Sequence, residues 1–238
     1  MVTMLKSSEV TTAQPSLEAI VREVLGRMVA SAPPVAAPAD GKKREMMVPL
    51  GVSNRHIHLC REHVDILFGK DYQLKVLKEL YQPGYFAVQE RLLVVGKRRC
   101  LEGVAILGPE RPISQVELSQ TDAISLGLKL GVAESGADPV SQPILLVGPM
   151  GQVILPGGKG GGAYIARRHL HISPSDAAAL GLKEGDLADI VIDGERPTTY
   201  RGVLVRIREG WRPEVHLDTD EANAAGLKNG EMVRLVVP

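Results

Sequence analysis

Residues 169–183 read His-Leu-His-Ile-Ser-Pro-Ser-Asp-Ala-Ala-Ala-Leu-Gly-Leu-Lys. The first four alternate polar and apolar side chains, which predicts a short strand with both histidines on one face. Ser173 suits a helix N-cap, Pro174 the first helical position and Gly181 the C-cap. The segment therefore predicts a strand that leads directly into a short capped helix.

The same pattern recurs without gaps at two other places in the chain. Glu117–Lys129 and His216–Lys228 both align with His171–Lys183. Each copy has a capping residue two positions after its first residue and an acidic residue three positions later, which is the spacing of a capping box. The repeat therefore predicts three strand ends with equivalent positions in the fold.

A fourth, degraded copy begins at His58 and ends at Gly69. In this copy Cys60 takes the capping position and His63 takes the place of the acid. We therefore interpret His63 as a helix residue rather than a ligand, and Cys60 as a cap rather than a nucleophile.

The histidines form a recurring pattern that is typical of a metal site. Residues 55–59 read Arg-His-Ile-His-Leu and residues 168–172 read Arg-His-Leu-His-Ile, so each pair of histidines shares one strand face. Glu117 joins the set because it occupies the repeat position held by His171 and His216. Six candidate ligands are more than one tetrahedral zinc ion can bind, and they suit two ions that each keep an open coordination position. The alternative is a set of polar positions on barrel strands. The candidate ligands are His56, His58, Glu117, His169, His171 and His216.

From Met46 onward, short apolar runs separated by turn residues predict a mainly β fold, with closed or nearly closed barrels and short helices. Before it, residues 16–30 have the apolar spacing of an amphipathic helix, and 31–44 form a Pro/Ala-rich linker. A helix on such a linker is typical of a docking peptide, although it could instead pack on its own domain.

Composition excludes several classes of function. The formal net charge is zero and aromatic residues make up 3% of the chain, so nucleic acid and anionic membranes are not the expected partners. No apolar run reaches the length of a membrane span. Two cysteines without a Cys-x-x-Cys motif favour a reducing cytosol over a disulfide framework.

Two further segments have groups that could contact an anion. Arg111 lies six residues before Glu117, where a guanidinium could bind phosphate in bidentate fashion, and a surface arginine is the alternative. The Gly-rich segment 157–162 lacks the Lys-Ser/Thr ending and the following helix of a phosphate-binding loop, so we interpret it as a flexible loop.

Several long motifs resemble those of PduL-type phosphate acyltransferases, the phosphotransacylases of bacterial microcompartments. They are Gly-Val-Ser-Asn-Arg-His-Ile-His-Leu from residue 51, Gln-Pro-Gly-Tyr from 82, Gly-Pro-x-Arg-x-x-Ser-Gln-Val-Glu-Leu-Ser from 108, Arg-His-Leu-His-Ile-Ser from 168 and His-Leu-Asp-Thr-Asp-Glu-Ala-Asn-Ala-Ala-Gly from 216. The resemblance covers about residues 46–238.

The resemblance implies two small β-barrel domains capped by short helices. Residues 46–54 and 167–238 would form one barrel, residues 55–166 the other, and residues 1–45 a targeting helix with its flexible linker. It also implies two Zn²⁺ per chain on the six ligands named above, a homodimer or higher oligomer, and shell proteins as partners of the N-terminal helix. The expected location is a microcompartment in the bacterial cytoplasm.

The resemblance also implies the substrates and their contacts. Short-chain acyl-CoA, propionyl or acetyl, and phosphate would be converted reversibly into acyl phosphate and CoA by direct transfer at the dinuclear site. Arg111 matches the phosphate-contacting arginine. The residues that match CoA-binding positions are Val52, Ser53, Asn54, Arg98 and Asn223. Two other functions stay open at this point: a dinuclear zinc hydrolase of thioesters or phosphoesters, and a non-catalytic shell-binding protein.

Overall fold

Short strands form the framework of the chain in the computed structural model, which describes residues 44–134 and 141–238. All of these residues lie in one structural unit. The predicted helix at 16–30 and the linker as far as residue 43 lie outside the described residues. The strands in chain order are β1 (Arg44–Ser53), β2 (His56–His58), β3 (Val76–Glu79), β4 (Phe86–Val95), β5 (Cys100–Gly108), β6 (Gln115–Leu118), β7 (Val132–Ala133), β8 (Ile144–Val147), β9 (Gln152–Leu155), β10 (Ala163–Ala166), β11 (His169–Ile172), β12 (Leu187–Ile192), β13 (Thr198–Ile207), β14 (Glu214–Asp218) and β15 (Met232–Val237).

Six of these strands close into a barrel in the order β1-β14-β11-β13-β12-β15. The early strand β1 runs parallel to β14 and antiparallel to β15, so it joins strands that come from the end of the chain. Inward side chains alternate with outward ones along the strands, as Val48 and Leu50 on β1 show by their burial beside exposed Met47. Leu170 and Leu235 complete this core from other strands.

The other nine strands form a second sheet, in the order β7-β10-β6-β2-β5-β4-β8-β9 with β3 paired to β4. This sheet curves into a half-barrel rather than a closed one. Its core contains Ile57, Val116 and Leu146, all fully buried. The predicted mainly β architecture is confirmed, and each of the apolar runs lies within a strand.

Within residues 44–134 and 141–238, four short helices cover the strand ends, and three of them follow the repeat. They are α1 (Arg61–Phe68), α2 (Gln120–Leu126), α3 (Pro174–Ala179) and α4 (Thr219–Ala225). Ser119, Ser173 and Asp218 cap the last three by accepting a hydrogen bond from the backbone N–H three residues later, and α4 has the full reciprocal capping box. Local capping chemistry therefore ends β6, β11 and β14 at equivalent points.

Helix α1 differs from the repeat at its cap. Cys60 occupies the N-cap position, but its side chain makes no capping hydrogen bond. His63 lies within the helix, as predicted. The Gly-rich segment contains a 3-10 turn at Gly158–Gly160.

A neighbouring pair on β9 tests the core of the half-barrel. Leu155 is fully buried, whereas the adjacent Ile154 is 69% exposed. We expect Leu155→Ala to lower the free energy of unfolding by about 2–5 kcal/mol, because it removes buried methyl groups and leaves a cavity. Ile154→Ala serves as the matched control and should cost less than about 1 kcal/mol. Denaturant unfolding measures both, and equal losses would contradict this account of the core.

Candidate active site

The first candidate metal-binding group, His56, His58 and Glu117, lies on the antiparallel pair β2 and β6. His56 is directly opposite Glu117 in the register, and His58 follows on the same strand face. The Nε2 atoms of His56 and His58 lie 3.5 and 3.8 Å from the Glu117 carboxylate oxygens. Ligands of a tetrahedral zinc with bonds of about 2.0 Å are about 3.3 Å apart, so this spacing fits the ion closely.

Hydrogen bonds outside this first group orient its ligands. Nδ1 of His56 donates to the Asn54 carbonyl at 2.7 Å, and Nδ1 of His58 donates to the Leu107 carbonyl at 3.2 Å. Because a carbonyl oxygen only accepts, both rings carry their proton on Nδ1 and direct the Nε2 lone pair toward Glu117. The Tyr164 hydroxyl donates to Glu117 Oε1 at 2.8 Å. Metal-binding histidines typically have such outer partners.

The second group lies on β11 and β14. His169 is directly opposite His216, and His171 follows on the same face. The candidate ligand atoms of each group all lie within 4.8 Å of one another. Nδ1 of His169 donates to the Arg167 carbonyl at 2.8 Å, which leaves its Nε2 for a ligand. Nδ1 of His171 is buried and has no hydrogen-bond partner among the described residues. A metal ion would satisfy such an orphaned nitrogen, so this group also fits.

Burial lowers the pKa of three of the candidate ligands, His58, His169 and His171. Desolvation, with repulsion from His56 and Arg111, holds the pKa of His58 well below its usual value. Desolvation and the neighbouring His216 lower the pKa of His169 to about 3, and the same causes lower the pKa of His171. Neutral imidazole is the form that binds a metal, because protonation removes its lone pair.

The two groups are equivalent parts of one repeated ladder. In each, a His-x-His strand pairs antiparallel with a second strand, so Glu117 on β6 corresponds to His216 on β14. The residue opposite the second histidine of each pair is Gln115 in the first group and Glu214 in the second. The structure thus brings together all six of the candidate ligands in two sets of three.

Arg111 lies beside the first group. Its Nη1 atom is 4.0 Å from Glu117 Oε1 and donates to Gln115 Oε1 at 3.3 Å. Its backbone N–H donates to the Leu59 carbonyl, and Ser114 in the same loop accepts from the Cys60 N–H at 2.9 Å. These bonds hold the loop against the start of α1.

His63 contributes to the same attachment. Its Nδ1 lies 2.7 Å from Ser114 Oγ, which is fully buried and also contacts the Cys60 sulfur. His63 and Cys60 therefore support the loop that carries Arg111.

Both groups and Arg111 line a single cavity of about 1100 Å³. The cavity wall also contains Trp211, the only tryptophan, whose ring lies 3.9 Å from that of His171. Five further cations line it: Arg55, Lys78, Arg91, Arg206 and Arg208. Four carboxylates also line the cavity, those of Glu79, Glu117, Glu184 and Glu214, so with Arg111 the cations outnumber them six to four. This excess of positive charge beside two candidate metal positions suits an anionic ligand.

Sequence comparisons give the chain its family. A family model described as phosphate propanoyltransferase matches residues 49–228. The chain belongs to the phosphate propanoyltransferase family. A relative of that name from Lachnoclostridium phytofermentans is 44% identical over 197 residues, covering 82% of this chain and 89% of the relative. A second, from Thermotoga maritima, is 42% identical over 177 residues, covering 74% and 82%. A third, from Planctopirus limnophila, is 42% identical over 227 residues, covering 93% and 91%.

Membership in the phosphate propanoyltransferase family confirms the family prediction and the enzyme class, an acyltransferase. Among the described residues, no helix has the length and apolar character needed to cross a membrane.

The structure places the predicted CoA-binding residues in different surroundings. Val52, Ser53 and Asn54 line the cavity. Arg98 lies in the turn between β4 and β5, against the end of α2, and is not among the lining residues. Asn223 is exposed on α4 and is also outside the lining.

Sequence reasoning missed several cavity residues. Glu214 lies two positions before His216, so the period-two rule places both side chains on one strand face, but a pattern made of histidines does not include a glutamate. Gln82 begins the Gln-Pro-Gly-Tyr motif that carries the resemblance, but the motif assigns it no contact. Gln82 and Trp211 reach the cavity through the packing of distant segments.

Because the two groups share no ligand, a substitution in one group should change the number of bound metal ions without affecting the other group. We expect His171→Ala to reduce the metal content from two ions per chain to one, because it removes a ligand from the second group only. Metal analysis of the purified protein measures this, with far-UV circular dichroism as the check on folding. His63→Ala is the matched control, since His63 belongs to neither group, and it should keep both ions. A His171→Ala protein with two ions would contradict the assignment.

Proposed function

We propose that this protein interconverts short-chain acyl-CoA and phosphate with acyl phosphate and CoA by direct transfer. The observation that carries the proposal is the single cavity that Arg111 shares with both metal-binding groups. Family membership supports it, because the relatives are named phosphate propanoyltransferases.

We also propose that the metals are two zinc ions. His56, His58 and Glu117 would hold one, and the three histidines of the second group would hold the other. Imidazole and carboxylate ligands at tetrahedral spacing suit zinc. When bound, zinc would act as a Lewis acid that offsets the negative charge of phosphate and of the developing oxyanion.

The chain's own groups would position phosphate for attack. The Arg111 guanidinium can donate two parallel hydrogen bonds to phosphate oxygens. Its loop is held by hydrogen bonds to the Leu59 carbonyl and from the Cys60 N–H, so its position is largely set before substrate binds. One phosphate oxygen then attacks the thioester carbonyl carbon, the new C–O bond forms, and the C–S bond breaks. The electron pair leaves with sulfur as the CoA thiolate, and the reverse reaction follows the same steps backward.

The cavity cations suit the phosphates of CoA. Lys78 and Arg91 lie on β3 and β4, whereas Arg206 and Arg208 lie on β13 and just after it. We propose that Val52, Ser53 and Asn54 contact CoA along the cavity wall. The Arg98 and Asn223 contacts stay predictions, because a CoA molecule would have to extend beyond the lining to reach them.

The domain division also stays a proposal, supported by strand membership. β1 and β11–β15 form the closed barrel, and β2–β10 form the half-barrel sheet. We propose the three-part division of residues 1–45, 46–54 with 167–238, and 55–166, with assembly into a homodimer or higher oligomer.

A phosphate-dependent assay of CoA release tests the function. We expect Arg111→Ala to lower kcat/KM for phosphate by about 10- to 100-fold, because hydrogen bonds to a charged group contribute about 1.5–3 kcal/mol. Arg201→Ala is the matched control; its side chain is 81% exposed and lies outside the cavity lining. An unchanged phosphate saturation curve in Arg111→Ala would remove this residue from the site. Thiol release independent of phosphate would instead favour a zinc hydrolase.

The N-terminal segment carries a separate proposal, that it targets the enzyme to a bacterial microcompartment by binding shell proteins. Its support is the amphipathic spacing of residues 16–30 and the Pro/Ala-rich linker. The Planctopirus limnophila relative aligns with 93% of this chain, which extends into the residues before 44.

Deletion of residues 1–40 tests this targeting. We expect the shortened enzyme to keep its activity in solution and to lose co-purification with shells, because the docking helix is absent while the cavity is intact. Full-length protein measured in the same preparation is the control. Unchanged co-purification would refute targeting, and shell binding without any turnover by the full chain would favour the non-catalytic alternative.

A further inference from the structure

Gln82 links the half-barrel sheet to the closed barrel. It lies in the loop between β3 and β4 and is only 4% exposed. Its amide Nε2 donates to the Arg212 carbonyl at 2.9 Å and to Glu214 Oε2 at 3.0 Å, while its Oε1 accepts from the Arg212 N–H at 3.0 Å. Three hydrogen bonds from one buried side chain fix this loop against the segment that leads into β14.

Two neighbours of Gln82 strengthen the same junction. The Tyr85 hydroxyl accepts from Arg208 Nη1 at 3.0 Å. The guanidinium of Arg212 lies over the Tyr81 ring, 5.7 Å from its centre. The loop from Tyr81 to Tyr85 is therefore held by polar contacts at both ends and at Gln82.

Glu214 carries this junction to the second metal-binding group. It is 8% exposed, and its Oε2 lies 3.0 Å from Nε2 of His216. Within the described ranges, the hydrogen-bond partners of its carboxylate are Gln82 and His216. Both bonds reach the same oxygen, so Gln82 determines where the carboxylate meets the imidazole.

The barrel leaves space for this carboxylate and its histidine at one glycine. Gly51 on β1 is the register partner of His216. A Cβ atom there would lie 2.9 Å from Glu214 Oε1 and 3.0 Å from His216 Cε1, which is closer than side chains tolerate. Strand β1 can therefore approach the pair because residue 51 has no side chain.

We propose that Glu214 and Gln82 are positioning residues for His216, so that a loop from one sheet completes a metal-binding group in the other. This inference rests on the proposed function. A carboxylate on the second nitrogen of a metal-binding imidazole fixes its tautomer and orientation and makes it a better ligand. Gln82 supplies the donor that holds the buried carboxylate in the required rotamer.

The first group provides an internal comparison. The residue of the first group that corresponds to Glu214 is Gln115, whose neutral side-chain amide accepts a hydrogen bond from Arg111. Loss of the Gln82 contact should therefore weaken metal binding at the second group and leave the metal affinity of the first group unchanged. A general loosening of the fold would weaken both.

Zinc competition with a chromophoric chelator tests the proposal on the full chain. We expect wild type to bind two zinc ions. In Gln82→Ala and Glu214→Ala, one of the two dissociation constants should rise about 10- to 100-fold, the usual effect of losing an outer partner of a metal ligand. Glu214→Gln should recover part of the affinity, because its amide oxygen still accepts from His216. Gln73→Ala, at an exposed glutamine whose amide bonds only a nearby backbone carbonyl, is the matched control.

The outcomes separate this inference from the proposed function. If both variants bind two zinc ions as wild type does, the inference is wrong and the metal sites stand. If both affinities fall together, the residues support the fold generally and the inference is again wrong. If wild type binds no zinc, the proposed metal sites and this inference fail together.

Discussion

The register of two antiparallel strand pairs sets the position of every candidate ligand. Side chains change face at each residue, so a slip by one residue would turn a His-x-His pair into the core. Ile57 lies between the first two histidines opposite Val116, and Leu170 lies between the second two opposite Val215. All four of these apolar side chains are fully buried. Burial of the core therefore also fixes the ligands, and the site is organised by the same contacts that stabilise the fold.

Backbone carbonyls then select the tautomer of three of the histidines. Asn54, Leu107 and Arg167 each present a carbonyl oxygen to an Nδ1 atom. These contacts need no side-chain acceptor, because strand geometry already places the backbone carbonyls beside the rings. His216 differs, since its Nε2 atom pairs with the Glu214 carboxylate. That difference makes the second group dependent on the junction between the two sheets.

Local patterns predicted most of the fold and picked out the six residues that the structure brings together in two groups. Strand period and capping chemistry act within a few residues, so an internal alignment was enough to place Glu117 beside histidines more than fifty residues away. The same reasoning left out Gln82, which lies 132 residues before Glu214 in the chain. Its role depends on how a hairpin loop packs against another sheet, and neither propensity nor periodicity carries that information. The strand order of the second sheet likewise depends on which distant strands pair, and local patterns do not carry that information.

The net charge of the chain does not predict the charge of the cavity. The chain has equal numbers of acidic and basic residues, which argues against large polyanions as partners. Within the cavity, however, the cations come from both sheets: Lys78 and Arg91 on one side, Arg206 and Arg208 on the other. A local field depends on where charges meet rather than on their sum, so a neutral protein can still bind an anionic cofactor such as CoA. Because each sheet contributes part of that field, the junction around Gln82 affects the cation arrangement as well as the second metal-binding group.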